Sequence, residues 1–148
     1  MKNAHTIISD HVFRGRTSGH VNSVTRLIYG AKFYNDDKAF NALVRLCTGD
    51  INTKNLDCIV SINTRDSKYN LPHRMAQIIS SNLSIPYINA LSEKNTKCSL
   101  RVINKRVLLF DDVIYTGKTL SKATMLLMKS GAKSVTCYAI ARSRSFEI

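Results

Sequence analysis

Asp111 and Asp112 stand side by side, and after Val113, Ile114 and Tyr115 the chain reads Thr116-Gly117-Lys118-Thr119. Neighbouring carboxylates are hard oxygen donors, suited to sugar hydroxyls or to a hydrated Mg²⁺. A hydroxyl-rich turn that opens a helix suits an anion. The first N–H groups of a helix have no partner within it, and the helix dipole adds positive character there. The combination would hold a phosphate next to a pair of sugar hydroxyls. Before the acids, Val107-Leu108-Leu109-Phe110 forms an apolar run that fits a strand buried on both faces. After the turn, Leu120, Ala123, Leu126 and Leu127 recur at helical spacing up to Ser130. Strand, acidic pair, turn and helix together predict a phosphate cradle at the carboxyl end of a strand. The plain alternative is a strand that ends in a solvated acidic turn before a capped helix.

The surrounding elements must position this cradle. Val24, Leu27, Ile28 and Ala31 share one face of a short helix over Val24 to Lys32. Asp36-Asp37 then reads as an N-cap for an amphipathic helix carrying Ala39, Phe40, Leu43, Val44 and Cys47, which Gly49 ends. Cys58–Ile62 is a short apolar strand, followed by a polar loop over 63–70. Pro72 opens a helix to about Leu83. Pro86–Ala90 is expected as another strand, and 91–106 is polar and basic. Gly131 closes the helix after the cradle, and residues 135–140 make a last strand. Strand-like pieces occur at Thr6–Ile8 and His11–Phe13. Strands alternate with helices, so the fold class is α/β, with a mostly parallel central sheet flanked by helices.

At 148 residues the chain is expected to be a single domain over 1–148, with 1–23 an arm and 143–148 a tail. No apolar run approaches the roughly 20 residues of a membrane span, and the N-terminus lacks the apolar core of a signal peptide. The expectation is a cytoplasmic protein that does not engage a membrane. Cys47, Cys58, Cys98 and Cys137 show no C-x-x-C pairing and are expected as free thiols. Lys and Arg outnumber Asp and Glu by 22 to 10, giving +12. Such a field attracts polyanions: nucleotides, pyrophosphate, nucleic acid or an acidic partner protein.

The stretch Val107–Thr119 resembles the phosphoribosyl pyrophosphate loop of type I phosphoribosyltransferases: four apolar residues, an acid, Asp, two apolar residues, a variable position, then Thr-Gly-x-Thr. Every position matches except Tyr115, where the family has Thr, Ser or Asp. Residues 26–47, with Lys32-Phe33 before a long helix, look like the entry of ComF-type phosphoribosyltransferase-like proteins. The resemblance implies a type I phosphoribosyltransferase-like domain with a reduced or absent hood. At most, residues 1–23 supply a minimal one.

The resemblance also implies roles. Asp111 and Asp112 would hold the ribose hydroxyls, directly or through Mg²⁺, the implied cofactor. Tyr115, Thr116, Gly117, Lys118 and Thr119 would cradle the 5′-phosphate. Asn63, Thr64 and Arg65 would face pyrophosphate. Lys94, Lys97 and Arg101 would lie on a short lid over Leu91–Lys105. The ligand would be phosphoribosyl pyrophosphate or a ribose-5-phosphate nucleotide, with transfer to a nitrogen nucleophile. Tyr115 argues against hypoxanthine or guanine as acceptor, because a phenol of ordinary pKa about 10 cannot replace the Asp used there. A homo-oligomer is compatible with the resemblance. The competing expectation is a non-catalytic module that senses such a ligand while contacting nucleic acid, as purine repressors and pyrimidine attenuation regulators do.

Overall fold

The computed structural model describes residues 4–13, 23–64 and 70–143. Strand β1 spans Ala4–Phe13, and helices α1 and α2 span Ser23–Phe33 and Asp37–Asp50. Then come β2 (Cys58–Ser61), α3 (Leu71–Leu83) and a 3₁₀ turn at Leu100–Val102. β3 (Arg106–Ile114), α4 (Lys118–Lys129) and β4 (Ser134–Ser143) follow. The strands form one sheet in the order β1-β4-β3-β2, and every pairing is parallel. This is the α/β architecture expected from the alternation of elements.

The two-residue period of β3 divides the core. Leu108 and Phe110 join Ile28 of α1, Leu43 of α2 and Met75 of α3. Val107 and Leu109 join Leu120, Ala123 and Leu127 of α4 on the other face. Burying each large apolar side chain contributes about 1.5–3 kcal/mol, which fixes the register of β3 between the layers. Phe110 stacks on Tyr138 of β4 at 5.8 Å between ring centroids. Cys47, Cys58 and Cys137 are buried and Cys98 is half-buried, all as free thiols. Burial pushes Cys47 up to about 12 and Cys58 up to about 11.

Local chemistry sets the helix ends. Asp36 Oδ1 accepts the N–H groups of Lys38 and Ala39 at 3.0 and 3.2 Å, capping α2 as its sequence predicts. A Cβ on Gly30 would come within 3.1 Å of Ala39 Cβ. Glycine there lets α1 press against α2, which fixes the last turn of α1. Gly131 closes α4 at φ +104°, and Asn104 N–H donates to its carbonyl at 2.7 Å.

Some boundaries differ from the sequence expectation. β3 continues through the acidic pair, because Asp111 pairs with Ala139 and Val113 with Ala141. α2 runs past Gly49, and Ile51 N–H returns to the Cys47 carbonyl at 2.9 Å to end it. Pro86–Ala90 contributes only a single bridge, Tyr87 to Ile59. Ala90 N–H then bonds the Ile88 carbonyl at 2.9 Å, a tight turn that draws the chain off the ladder. The two N-terminal pieces are one strand with a register irregularity between Ile8 and His11. β4 extends to Ser143, so the first residue of the expected tail belongs to the sheet.

Candidate functional site

β3 delivers Asp111 and Asp112 to the carboxyl edge of the sheet, where only 8% and 3% of their surface is exposed. Each Oδ1 accepts the next backbone N–H: Asp112 N–H to Asp111 at 2.8 Å, and Val113 N–H to Asp112 at 2.7 Å. The core alternation slips across the pair. Leu108 and Phe110 belong to the α1–α3 face, yet so does Val113, while Ile114 joins the α4 face. The two carboxylates are therefore freed from the opposite-face rule of a regular strand.

Lys32, in the last turn of α1, places Nζ 3.4 Å from Asp112 Oδ2. That oxygen is buried and has no closer hydrogen-bond partner. Burial works to lower the Lys32 ammonium, but the charge of Asp112 and the bond to it, helped by Asp111 and by Tyr115 once ionised, outweigh it and hold it above its ordinary value. Burial pushes the Asp111 carboxyl well above the usual carboxylate range, and the Asp112 charge adds to this. One ammonium thus serves two buried carboxylates.

The turn follows directly. Tyr115 is 51% exposed, and its partial burial raises the phenol against the pull of Lys32, so it carries a hydroxyl at neutral pH. Thr116 is exposed, and its Oγ1 accepts Lys118 N–H at 3.3 Å. Gly117 takes φ +80°, and no side chain of its own caps α4. Lys118 and Thr119 are exposed in the first helical turn. α4 thus starts directly after the end of β3 without a side-chain cap from Gly117, and a helix start of this kind suits an anion.

β2 brings its loop alongside. Ile62 N–H donates to the Phe110 carbonyl at 2.9 Å, so Asn63 and Thr64 leave the sheet beside the acidic pair. The Asn63 side chain is committed within the protein. Its Nδ2 donates to the carbonyls of Leu91 and Ser92 at 3.0 and 2.8 Å, and its Oδ1 accepts from Asn70 Nδ2 at 3.0 Å. Asn95 completes the clamp through Asn63 N–H and carbonyl, both at 2.9 Å. Asn63 therefore positions the loop with its amide. Arg65 lies outside the described residues.

The segment expected as a lid is folded onto this clamp. Leu91 and Cys98 form an antiparallel bridge, and Ser92 Oγ accepts the N–H groups of Thr96 and Lys97 at 3.1 and 2.9 Å. Lys94 and Lys97 are exposed on either side of Asn95, next to the β2 loop. Arg101 is not brought there. It sits in the 3₁₀ turn that leads to Ile103, which meets Gly131 at the opposite edge of the sheet.

Sequence reasoning did not single out Lys32 as a site residue. Its signal was the Lys32-Phe33 pair directly after the apolar helix face. It also passed over a chain beneath the β2 loop, in which Tyr87 Oη lies 2.8 Å from Ser61 Oγ and 2.7 Å from His73 Nδ1. The implied Mg²⁺ can be weighed against the donors present. Two buried carboxylates offer hard oxygens and match such an ion by donor type, but the place beside Asp112 Oδ2 is taken by the Lys32 ammonium at 3.4 Å, so the pair does not fit a directly coordinated ion there. Among the described residues, no group of three or more His, Cys, Asp or Glu side chains gathers. Nor, among them, is any helix long and apolar enough to cross a membrane.

Solved structures share this fold. A purine phosphoribosyltransferase from Pyrococcus horikoshii matches with TM-score 0.51 and 20% identity, over 70% of this chain and 83% of that one. An orotate phosphoribosyltransferase from Aeropyrum pernix matches with TM-score 0.56 and 17% identity, over 86% and 68%. An APRTase from Giardia lamblia matches with TM-score 0.58 and 18% identity, over 89% and 80%. These likenesses establish the fold. No curated protein matches the chain. The family described as "Phosphoribosyl transferase domain" matches residues 53–147, a span that holds β2, its loop, the acidic pair and the α4 turn. The chain belongs to the phosphoribosyl transferase domain family.

Proposed function

We propose that the carboxyl edge of β3 binds the ribose-5-phosphate part of phosphoribosyl pyrophosphate or a nucleotide, and that the protein transfers phosphoribosyl to a nitrogen nucleophile. The observation that carries this reading is the buried Asp111–Asp112 pair set directly before the open N-terminus of α4. Asp112 and Asp111 accept the ribose hydroxyls. Thr116 and Thr119 donate hydroxyl bonds to the 5′-phosphate, and backbone N–H groups of residues 115–119 surround it. Gly117 lets the backbone approach closely. In the transfer, the bond from the anomeric carbon to pyrophosphate breaks and its electron pair leaves on pyrophosphate. The nucleophile's nitrogen forms the new bond and gives up a proton. Mg²⁺, when bound, supplies positive charge on the leaving pyrophosphate. The acidic pair holds the sugar still while its ring gains positive charge. Lys94 and Lys97, beside the β2 loop, are placed to attract the pyrophosphate.

A second reading, binding without turnover, is favoured by the clamp that ties the 92–97 turn to Asn63, since a fixed turn excludes water poorly. Here the resemblance of the entry to ComF-type proteins and the +12 charge support a ligand-sensing module associated with nucleic acid. Calorimetry with phosphoribosyl pyrophosphate, with and without Mg²⁺, followed by a base panel scored for pyrophosphate release, tests both. Binding with release supports transfer. Binding without release for any base supports the second reading, and no binding refutes both. For the second reading, affinity for DNA or RNA falls steeply as salt rises, because Lys and Arg release counterions from the phosphates.

A further inference from the structure

Lys32 lies outside the span 53–147 that the family match covers, yet it reaches the centre of the candidate site. Its position is built. The Gly30–Ala39 approach fixes α1 against α2, and the turn after α1 closes with Tyr34 and Asp36 N–H groups on the Gly30 carbonyl at 3.2 and 3.0 Å. From there Nζ meets the one oxygen of Asp112 that backbone N–H groups leave unbonded. The side chain keeps a quarter of its surface exposed, so the ammonium borders the site as well as the carboxylate. It has three donors, enough to hold Asp112 and still meet a ligand hydroxyl.

We propose that Lys32 is a built-in counter-cation for the acidic pair: it occupies the place a divalent ion would take and orients Asp112 toward the ribose diol. Ribose 5-phosphate and mononucleotides then bind without Mg²⁺, and the metal requirement is confined to ligands that carry pyrophosphate. The reason is spatial. An Mg²⁺ ion coordinated by Asp112 Oδ2 sits about 2.0–2.1 Å from that oxygen. Such an ion would lie within about 5.5 Å of the ammonium, which is 3.4 Å from the same atom. In a partly buried site the repulsion between a divalent ion and an ammonium at that separation disfavours direct coordination. The inference about sugar binding rests on the phosphoribosyl reading above, while the exclusion of the metal does not.

The test compares the wild type with Lys32→Met, which keeps the stem and removes the charge, and Lys32→Arg, which keeps the charge. Thermal melts are run without sugar, in Mg²⁺ and in NaCl of equal ionic strength. Calorimetry with ribose 5-phosphate is run in EDTA and in Mg²⁺. In the wild type, Mg²⁺ is expected to raise the melting temperature no more than NaCl does. Its sugar affinity stays within about threefold between EDTA and Mg²⁺. Lys32→Met melts lower and is stabilised by Mg²⁺ beyond the NaCl control. In EDTA it binds the sugar about tenfold more weakly, with recovery in Mg²⁺. Lys32→Arg follows the wild type.

A specific Mg²⁺ stabilisation of the wild type that disappears in Asp111→Asn/Asp112→Asn overturns the proposal. So does a Lys32→Met protein that matches the wild type in both melts. If no variant binds ribose 5-phosphate, the phosphoribosyl reading fails, while the melts still decide the role of Lys32. If Lys32→Met does not fold, Lys32→Met/Asp112→Asn restores folding by removing the orphaned charge. Should that double variant fail as well, the wild-type Mg²⁺ melt remains decisive.

Discussion

The two edges of the sheet handle charge in opposite ways. At the amino edge, Arg106 grips Asp57 through Nε and Nη2 at 3.0 and 2.9 Å, and its backbone N–H adds a third bond at 2.8 Å. Asp57 N–H returns to the Arg106 carbonyl at 2.7 Å, so the pair also sets the start of the β2–β3 ladder. Nearby, Tyr138 Oη donates to Asp50 at 2.8 Å. At the carboxyl edge, two carboxylates are buried with one ammonium at 3.4 Å. A cleft of about 450 Å³ opens at the amino edge, lined by Asp50, Lys54, Arg106 and Tyr138 among others. The candidate chemistry lies at the other end. The comparison teaches that concavity and chemistry need not coincide. The amino edge pairs its polar groups with one another, whereas the carboxyl edge leaves Asp112 Oδ2 without a hydrogen bond, the capacity that the proposed ligand would use.

The largest expected effect breaks the carboxyl edge. Asp111→Asn/Asp112→Asn removes both charged acceptors for a ribose diol. Hydrogen bonds to charged groups contribute about 1.5–3 kcal/mol each, so affinity for ribose 5-phosphate is expected to fall about a hundredfold or more. The fold persists, because Asn fits the same space and relieves two buried like charges. Calorimetry paired with circular dichroism checks this. Unchanged affinity in a folded double variant would remove the carboxyl edge from the functional account.

Gly117→Ala is expected to act on a smaller scale. A Cβ at φ +80° costs about 1–2 kcal/mol, and it crowds the anion seat, so phosphate affinity drops about tenfold. A melt and a titration with inorganic phosphate report both effects. Asn63→Ala comes next. It leaves the Leu91 and Ser92 carbonyls without their donor, at about 1–2 kcal/mol. Hydrogen exchange should accelerate at Lys97 and Asn95, whose N–H groups bond the Ser92 side chain and carbonyl. Unchanged exchange there would show that the clamp does not depend on Asn63.

Much of this was legible in the chain. Val107–Phe110, the acidic pair and the Thr-Gly-Lys-Thr turn lie within a few residues of one another, so local pattern placed the strand, the turn and α4 together. The α2 cap was legible for the same reason, since Asp36 bonds N–H groups two and three residues on. What the sequence hid is long-range. Lys32 meets Asp112 only because Gly30 lets α1 pack on α2. Asn63 looked like a ligand residue, but its partners at 91, 92 and 95 come from a distant turn. Strand ends were hidden too: β3 runs through two acids because β4 continues to pair with it. Tyr87 read as part of a strand, and it became a single bridge when Ala90 turned back on Ile88.

The smallest expected effect sharpens the contrast between edges through pH. At the amino edge, the side-chain bond from Arg106 and then its backbone N–H hold the Asp57 carboxyl well below the usual carboxylate range. Its folded pKa is thus below the unfolded value of about 3.9. Between those values the unfolded chain binds more protons, so stability rises with pH there. The contribution is complete above the unfolded pKa and is lost as pH falls toward the folded one. Both partners are about a third exposed, 37% for Arg106 and 31% for Asp57, so solvent and salt screen the pair and the effect is modest. Asp111 has the opposite sign. Its folded pKa is raised, so the folded chain binds the extra proton, and stability falls as pH rises from about 4 through the folded pKa. Denaturant titrations across acidic to neutral pH should therefore separate two single variants. Asp57→Asn is less stable than the wild type near neutrality, and the difference shrinks in acid. Asp111→Asn is more stable near neutrality, and its advantage also shrinks in acid. Curves for both variants that shift in the same direction at neutral pH would break the contrast between the edges.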